Sequence, residues 1–142
     1  MRFILSLSLI AFSLLPKAQI YTAKSGSTQI SFFSAAPFED IEAINKSAAI
    51  VMKSSTGDIQ MSIANMGFKF KNALLEEHFN ENYIESEKYP KSVFKGKINE
   101  PVDYNKDGEN KVTVTGKMEI HGVTKDITID GILTKTGEDL TM

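Results

Sequence analysis

Lys111-Val112-Thr113-Val114-Thr115-Gly116-Lys117-Met118-Glu119-Ile120-His121-Gly122-Val123-Thr124-Lys125-Asp126-Ile127-Thr128-Ile129 is the stretch on which the fold turns. Val112, Val114, Met118 and Ile120 alternate with Thr113, Thr115, Lys117, Glu119 and His121; beyond Gly122, Ile127 and Ile129 alternate with Thr128 and Asp130. A period of two sends neighbouring side chains to opposite faces of an extended chain. Each strand then has one apolar and one wet face, the habit of antiparallel sheets. Gly122 sits where a tight connection is needed. Parity puts His121 on the wet side, which predicts a solvated role for it.

The same period runs upstream. Ile30 and Phe32 share a face in 28–34 (TQISFFS), as do Ile59, Met61 and Ile63 in 58–65 (DIQMSIAN). Ser54 to Asp58 and Asn105 to Glu109 carry the Gly, Asp and Asn of hairpin turns. Strands are expected near 28–34, 38–45, 47–54, 59–70, 92–99, 111–121 and 125–134, although 38–45 (FEDIEAIN) fits a helical turn equally well. Ala73 to Phe79 breaks the alternation with good helix formers, sets Leu75 and Phe79 four apart, and is preceded by Asn72 as a cap. Asn80 to Pro90 then reads as an ordered loop. The expected architecture is all-β, an antiparallel barrel with one short helix across or plugging an end. Its inward set is Ile30, Phe32, Ile59, Met61, Ile63, Phe68, Phe70, Phe94, Ile98, Val112, Val114, Met118, Ile120, Ile127 and Ile129, with no charged group among them.

At 142 residues the chain has the size of one domain. Its net charge is −2, and without the first nineteen residues 14 bases stand against 18 acids. That balance predicts no electrostatic pull towards nucleic acid or an anionic membrane. With no cysteine, disulfides, thiolate catalysis and cysteine-based zinc sites are excluded.

The amino terminus points to export. Met1-Arg2 is a short basic start, and Phe3 to Leu15 is apolar and uncharged, at about 20 Å of helix too short to span a bilayer core of about 30 Å. Pro16 ends it, and Lys17-Ala18-Gln19 leads into a polar stretch, the layout of a signal peptide over residues 1–19. The mature domain would be 20–142, periplasmic or secreted, with no transmembrane span.

Sites of chemistry are scarce. His78 with Glu77 and Glu81 lacks a third metal ligand and the HExxH spacing. Asp103 to Gly108 matches half of a calcium loop, but its twelfth position is Val114. No nucleophile elbow or phosphate-binding glycine pattern occurs, and two isolated histidines give a hydrolytic triad nothing to stand on. No catalytic residue, metal or cofactor is therefore expected.

Two strings carry a resemblance. Phe68-Lys69-Phe70-Lys71-Asn72-Ala73-Leu74-Leu75-Glu76-Glu77-His78-Phe79-Asn80-Glu81-Asn82-Tyr83-Ile84-Glu85-Ser86-Glu87-Lys88-Tyr89-Pro90, followed by Lys91 to Ile98, resembles the helix, aromatic-rich loop, Tyr-Pro and Phe-bearing strand of YceI-like proteins. Gly116 to Ile129 is similar to that family's Gly-x-Leu-x-x-x-Gly-Val-Thr-Lys hairpin, with Met118 in the Leu position. The resemblance covers roughly residues 20 to 140. It implies a lipocalin-like barrel, exported in bacteria, with an apolar tunnel for a polyisoprenoid, an isoprenoid quinone or another long lipid. The tunnel would be lined by Ile30, Phe32, Met61, Ile63, Phe68, Phe70, Leu75, Phe79, Tyr83, Phe94, Val114, Met118 and Ile120. Its mouth would lie at 75–89, with His78, Asn80, Asn82 and Tyr89 at a head-group rim. Asn80 and Asn82 serve equally as caps for the helix end, and Tyr83 equally as packing beneath the loop. Family domains continue past the hairpin with further strands, whereas this sequence ends at Met142. An incomplete barrel is thus expected, with an open edge that could pair with a second copy.

Overall fold

The computed structural model describes residues 18–23, 26–35, 37 and 40–142. The reading of 1–19 as an export signal falls almost wholly outside them. In chain order the strands are β1 (Ile20–Thr22), β2 (Ile30–Ser34), β3 (Ile41–Asn45), β4 (Ala49–Lys53), β5 (Asp58–Ala64), β6 (Lys69–Phe70), β7 (Lys91–Ile98), β8 (Gly108–Ile120), β9 (Val123–Thr136) and β10 (Asp139–Thr141). The helix α1 spans Ala73–His78, between β6 and β7. Residues 41–45 are extended, so the helical alternative for that segment is set aside.

All the strand pairs are antiparallel. One sheet runs β1-β4-β5-β7-β8-β9-β10 and a smaller one β2-β3-β6. They are two arms of one bent surface, because β2–β3 continues the β1–β4 ladder while β6 continues β5. The result is a nearly closed barrel-like sheet with an unsealed seam. β8 covers β9 along one edge from Val123 to Lys135, whereas β10 covers the other edge only at Thr134–Thr136. Leu140 thus extends the sheet by a short return strand and leaves the remaining β9 edge without a strand partner among the described residues.

The expected strand over 59–70 is broken. A 3-10 turn at Asn65–Gly67 separates β5 from β6, and buried amides satisfy the backbone that the break frees. Asn65 Nδ2 donates to the Tyr89 carbonyl at 2.6 Å, and its Oδ1 accepts from Ser92 Oγ at 2.8 Å. Asn45 Nδ2 donates to the Ala64 carbonyl at 2.8 Å, and its Oδ1 accepts from the Ser47 amide at 2.9 Å. An unpaired polar group in the interior costs about 1–3 kcal/mol, so these contacts define the corner.

Inner-face residues form two buried clusters. Met52, Ile59, Phe94, Ile98, Val112, Val114 and Leu133 make the larger. Ala43, Ala48, Ile63 and Phe68 make the other, and Met61 and Met118 pack against both. Between β7 and β8 the facing pair Gly96–Gly116 lets the backbones close together, since a Cβ on Gly116 would fall 2.3 Å from the Lys95 carbonyl oxygen.

Two expectations about the inner face need correction. Ile120 and Ile129 occupy inner positions by register but are 42% and 44% exposed, because Ile120 sits at the β8–β9 hairpin tip beyond the β7 pairing and Ile129 lies on the part of β9 that β10 does not cover. The inner face also carries two lysines, of which Lys125, opposite Met118, is exposed. Lys135, in phase with Leu133, is buried, and its ammonium contacts the Gly137 carbonyl and lies 3.8 Å from Asp107 Oδ1. Alternation over 125–134 stopped one residue short of it.

Candidate functional site

At the β2-β3-β6 end, four phenylalanines meet ring to ring. Phe32 lies 5.4 Å from Phe68 and 5.5 Å from Phe79, and Phe70 lies 5.1 Å from Phe79. Three come from the sheet arm, and Phe79 is delivered by α1. Asn72 starts that helix, its Oδ1 accepting from the Leu74 amide at 2.9 Å and the Leu75 amide at 3.4 Å. Glu76 then fastens the helix to β6, receiving Lys69 Nζ at 2.7 Å and the Phe70 amide at 3.3 Å. The Lys69 contact, followed by the Phe70 amide, holds the Glu76 carboxyl below its ordinary range. Past His78 the chain continues in a π turn, Phe79–Tyr83, where a loop was expected. Together, α1 and Phe79 stop this end of the sheet.

Among the expected lining residues, Ile30, Phe32, Met61, Phe70, Phe79 and Met118 pack around the small cluster that contains Ile63 and Phe68. Phe94 and Val114 are buried in the larger one. Leu75 is half-buried on α1, Ile120 is exposed at the β8–β9 hairpin tip, and Tyr83 stands exposed rather than beneath the loop. At the expected rim His78 and Asn82 are exposed. Asn80 does close the helix end, donating to the Glu76 carbonyl at 2.9 Å and accepting from Ser86 Oγ at 2.5 Å. Tyr89 lies against the β8–β9 hairpin.

That hairpin overturns the solvated His121. Its Nε2 lies 2.5 Å from Glu85 Oε2, and its ring centroid is 4.5 Å from that of Tyr89. Glu85 and His121 have φ of 49° and 52°, left-handed values uncommon for residues with a Cβ. Gly122 makes room, since a Cβ there would come within 2.8 Å of the Tyr89 ring. Lys88 Nζ sits over the Tyr89 ring, 5.0 Å from its centroid. A latch thus joins the loop after the π turn to the hairpin tip. Parity could not show it, because the partner is 36 residues away. The break at Asn65 did have a signal, Asn65-Met66-Gly67 inside an apolar run, which punctuates a strand.

From the aromatic stop, inner-face apolar side chains run through Met61 and Met118 to Ile120 and Val123 at the hairpin tip and to Ile127 and Ile129 on β9, with exposed Lys125 between Val123 and Ile127. A sequence model of the YceI-like domain matches residues 21–141. The chain belongs to the YceI-like family. The stretch 68–90 of this YceI-like domain is the stop and one side of the latch, and 116–129 is the hairpin that receives it. Its fold is similar to that of a polyisoprenoid-binding domain from Saccharophagus degradans implicated in plant cell wall breakdown, with TM-score 0.62 and 13% identity over 77% of this chain and 63% of that one. It is also similar to the YceI protein of Campylobacter jejuni, with TM-score 0.54 and 20% identity over 70% of this chain and 59% of that one. The chain therefore spans less than two thirds of the length of either. A search of curated proteins returned no match. Among the described residues no group of His, Cys, Asp and Glu could hold a metal, and no helix is long and apolar enough to cross a membrane.

Proposed function

We propose that this YceI-like domain is an exported carrier of a long-chain apolar lipid of isoprenoid type, which lies along the inner stripe and the seam. One observation carries the reading. Ile120, Val123 and Ile129 share the inner face by register, yet they are 42%, 55% and 44% exposed. Exposed inner-face aliphatics gathered on one strand pair, with Lys125 opposite Met118 among them, mark a surface that an apolar partner would cover. Each buried CH₂ contributes about 0.8 kcal/mol, so a tail of roughly twenty carbons outweighs the ordering cost of binding. The relative described as polyisoprenoid-binding supports the ligand class. Exposed His78 and Asn82 beside α1 would meet a polar end group. No catalytic step is assigned to any residue.

The test is native mass spectrometry of protein purified without detergent, followed by organic extraction. A bound lipid of isoprenoid mass is expected; apo-protein that takes up no polyprenol or isoprenoid quinone from solution would overturn the reading. Export rests on the order of residues 1–19. Amino-terminal sequencing of protein from a periplasmic or medium fraction should begin near Gln19, and an uncleaved cytoplasmic chain would refute it. A second reading, a homodimer closed edge to edge, is favoured by the open β9 edge. It requires concentration-dependent dimers in light scattering and fails on a strict monomer.

A further inference from the structure

The outer face of the large sheet is unlike the protein as a whole. A groove of about 820 Å³ crosses β4, β5, β7, β8 and the start of β9, walled by Lys53, Lys95, Lys97 and Lys117. Its acids are Asp58 and Asp126, so it is basic within a chain of net charge −2. Lys117 is paired with Asp126 at 2.8 Å. Asp58 stands directly opposite both Lys53 and Lys97, one carboxylate for two ammonium groups and not in ion-pair contact with either, and Lys95 faces Gln60 and Lys117. The register sets Lys95 directly opposite Lys117, an arrangement of like charges that a sheet tolerates at a cost.

Aliphatic side chains stand among these ammonium groups. Ile20 faces Lys53 across the β1–β4 ladder, and Val51 lies two residues from it; they are 64% and 45% exposed. The groove lining contains no aromatic side chain on which a base could stack. Lysines around exposed aliphatics match a bilayer surface, where ammonium groups meet anionic head groups and short apolar side chains enter the interface.

We propose that this face docks the domain on an anionic phospholipid bilayer. The net charge averages over the whole chain, whereas this groove sets four lysines against two aspartates. The docking does not depend on bound cargo. If cargo is carried, the geometry gives docking a use. Asp126 ends the groove on β9, the strand whose far edge is the seam, so a docked sheet brings the seam down beside the head groups.

The test is flotation of the full chain with vesicles of phosphatidylcholine alone and of phosphatidylcholine with phosphatidylglycerol at about 7:3. A lysine near an anionic surface contributes about 1 kcal/mol, a roughly fivefold factor in partitioning. The combined variant Lys53→Gln/Lys95→Gln/Lys97→Gln should therefore bind anionic vesicles up to about a hundredfold more weakly at low salt. Circular dichroism checks its strand content, and Lys106→Gln, in the loop before β8, should bind as the parent does. Raising the salt to about 0.5 M should release the parent protein. Equal binding to both vesicle types, a triple variant that binds undiminished, an equal loss in Lys106→Gln, or retention of a single-stranded oligonucleotide in preference to vesicles would each overturn the proposal. Lipid extraction from the same variants reads cargo separately, so docking can fail while the carrier reading stands.

Discussion

Thr128 and Ile129 are adjacent on β9 and point to opposite sides of the sheet, so one substitution at each separates the stripe from the strand that bears it. Ile129 faces Val114 across the β8–β9 ladder and is 44% exposed. Full burial of an isoleucine side chain contributes about 1.5–3 kcal/mol, and roughly half of that is realised here. Ile129→Asp also loses some strand preference, on a scale that spans about 1 kcal/mol. The expected folding cost is therefore about 1–2 kcal/mol, which a denaturant titration would resolve and the fold should survive. Binding is another matter. A tail laid along the seam would have to cover a carboxylate, and desolvating it without a partner costs several kcal/mol. Uptake of a fluorescent polyprenol analogue should weaken at least about a hundredfold, since each 1.4 kcal/mol is a factor of ten. Thr128→Asp, on the exposed outer face, should bind as the parent does. If Ile129→Asp binds within a few-fold of the parent while Thr128→Asp does not, the lipid lies elsewhere and the stripe argument is wrong.

Asn65→Ala leaves Ser92 Oγ and the Tyr89 carbonyl without their buried partner and should cost about 2–4 kcal/mol in chemical denaturation; a loss below about 0.5 kcal/mol would show that the corner does not depend on this amide. The latch is half-exposed, so a Glu85→Gln/His121→Gln double-mutant cycle should give a coupling of about 0.5–1 kcal/mol, and zero coupling would make the 2.5 Å contact energetically silent. Glu100 accepts the Thr113 amide at 2.6 Å, which holds its carboxyl below the ordinary 4.5. With the folded value depressed, this tether is intact above the unfolded value and is lost as pH falls through the folded one. The Thr113 amide proton shift should therefore titrate with a midpoint below 4.5, and a midpoint above it would refute the contact.

The alternation in 111–129 was enough to read β8, β9 and their hairpin, because each position there answers to a single local question, wet or buried. The same rule recovered the inner positions of β5 and β7. It failed where long-range polar contacts decide. Asn65 ends β5 because Tyr89 and Ser92, far along the chain, supply its partners, and half-exposed His121 turns to Glu85. Lys135 lay one residue beyond the expected strand, and its burial depends on Asp107 and the Gly137 carbonyl. The aromatic stop was legible in outline, since Asn72 and the Leu75–Phe79 spacing announce the helix. The basic outer groove was not, because net charge carries no information about which face a lysine occupies.

The most direct test of the carrier reading is a methyl NMR titration of the domain with a short polyprenol. Ile120, Val123, Ile127 and Ile129 and the Met118 methyl should shift together and saturate, while Val51 and Ile132 on the outer face stay in place. Shifts confined to the outer-face methyls, or none at saturating polyprenol, would contradict it.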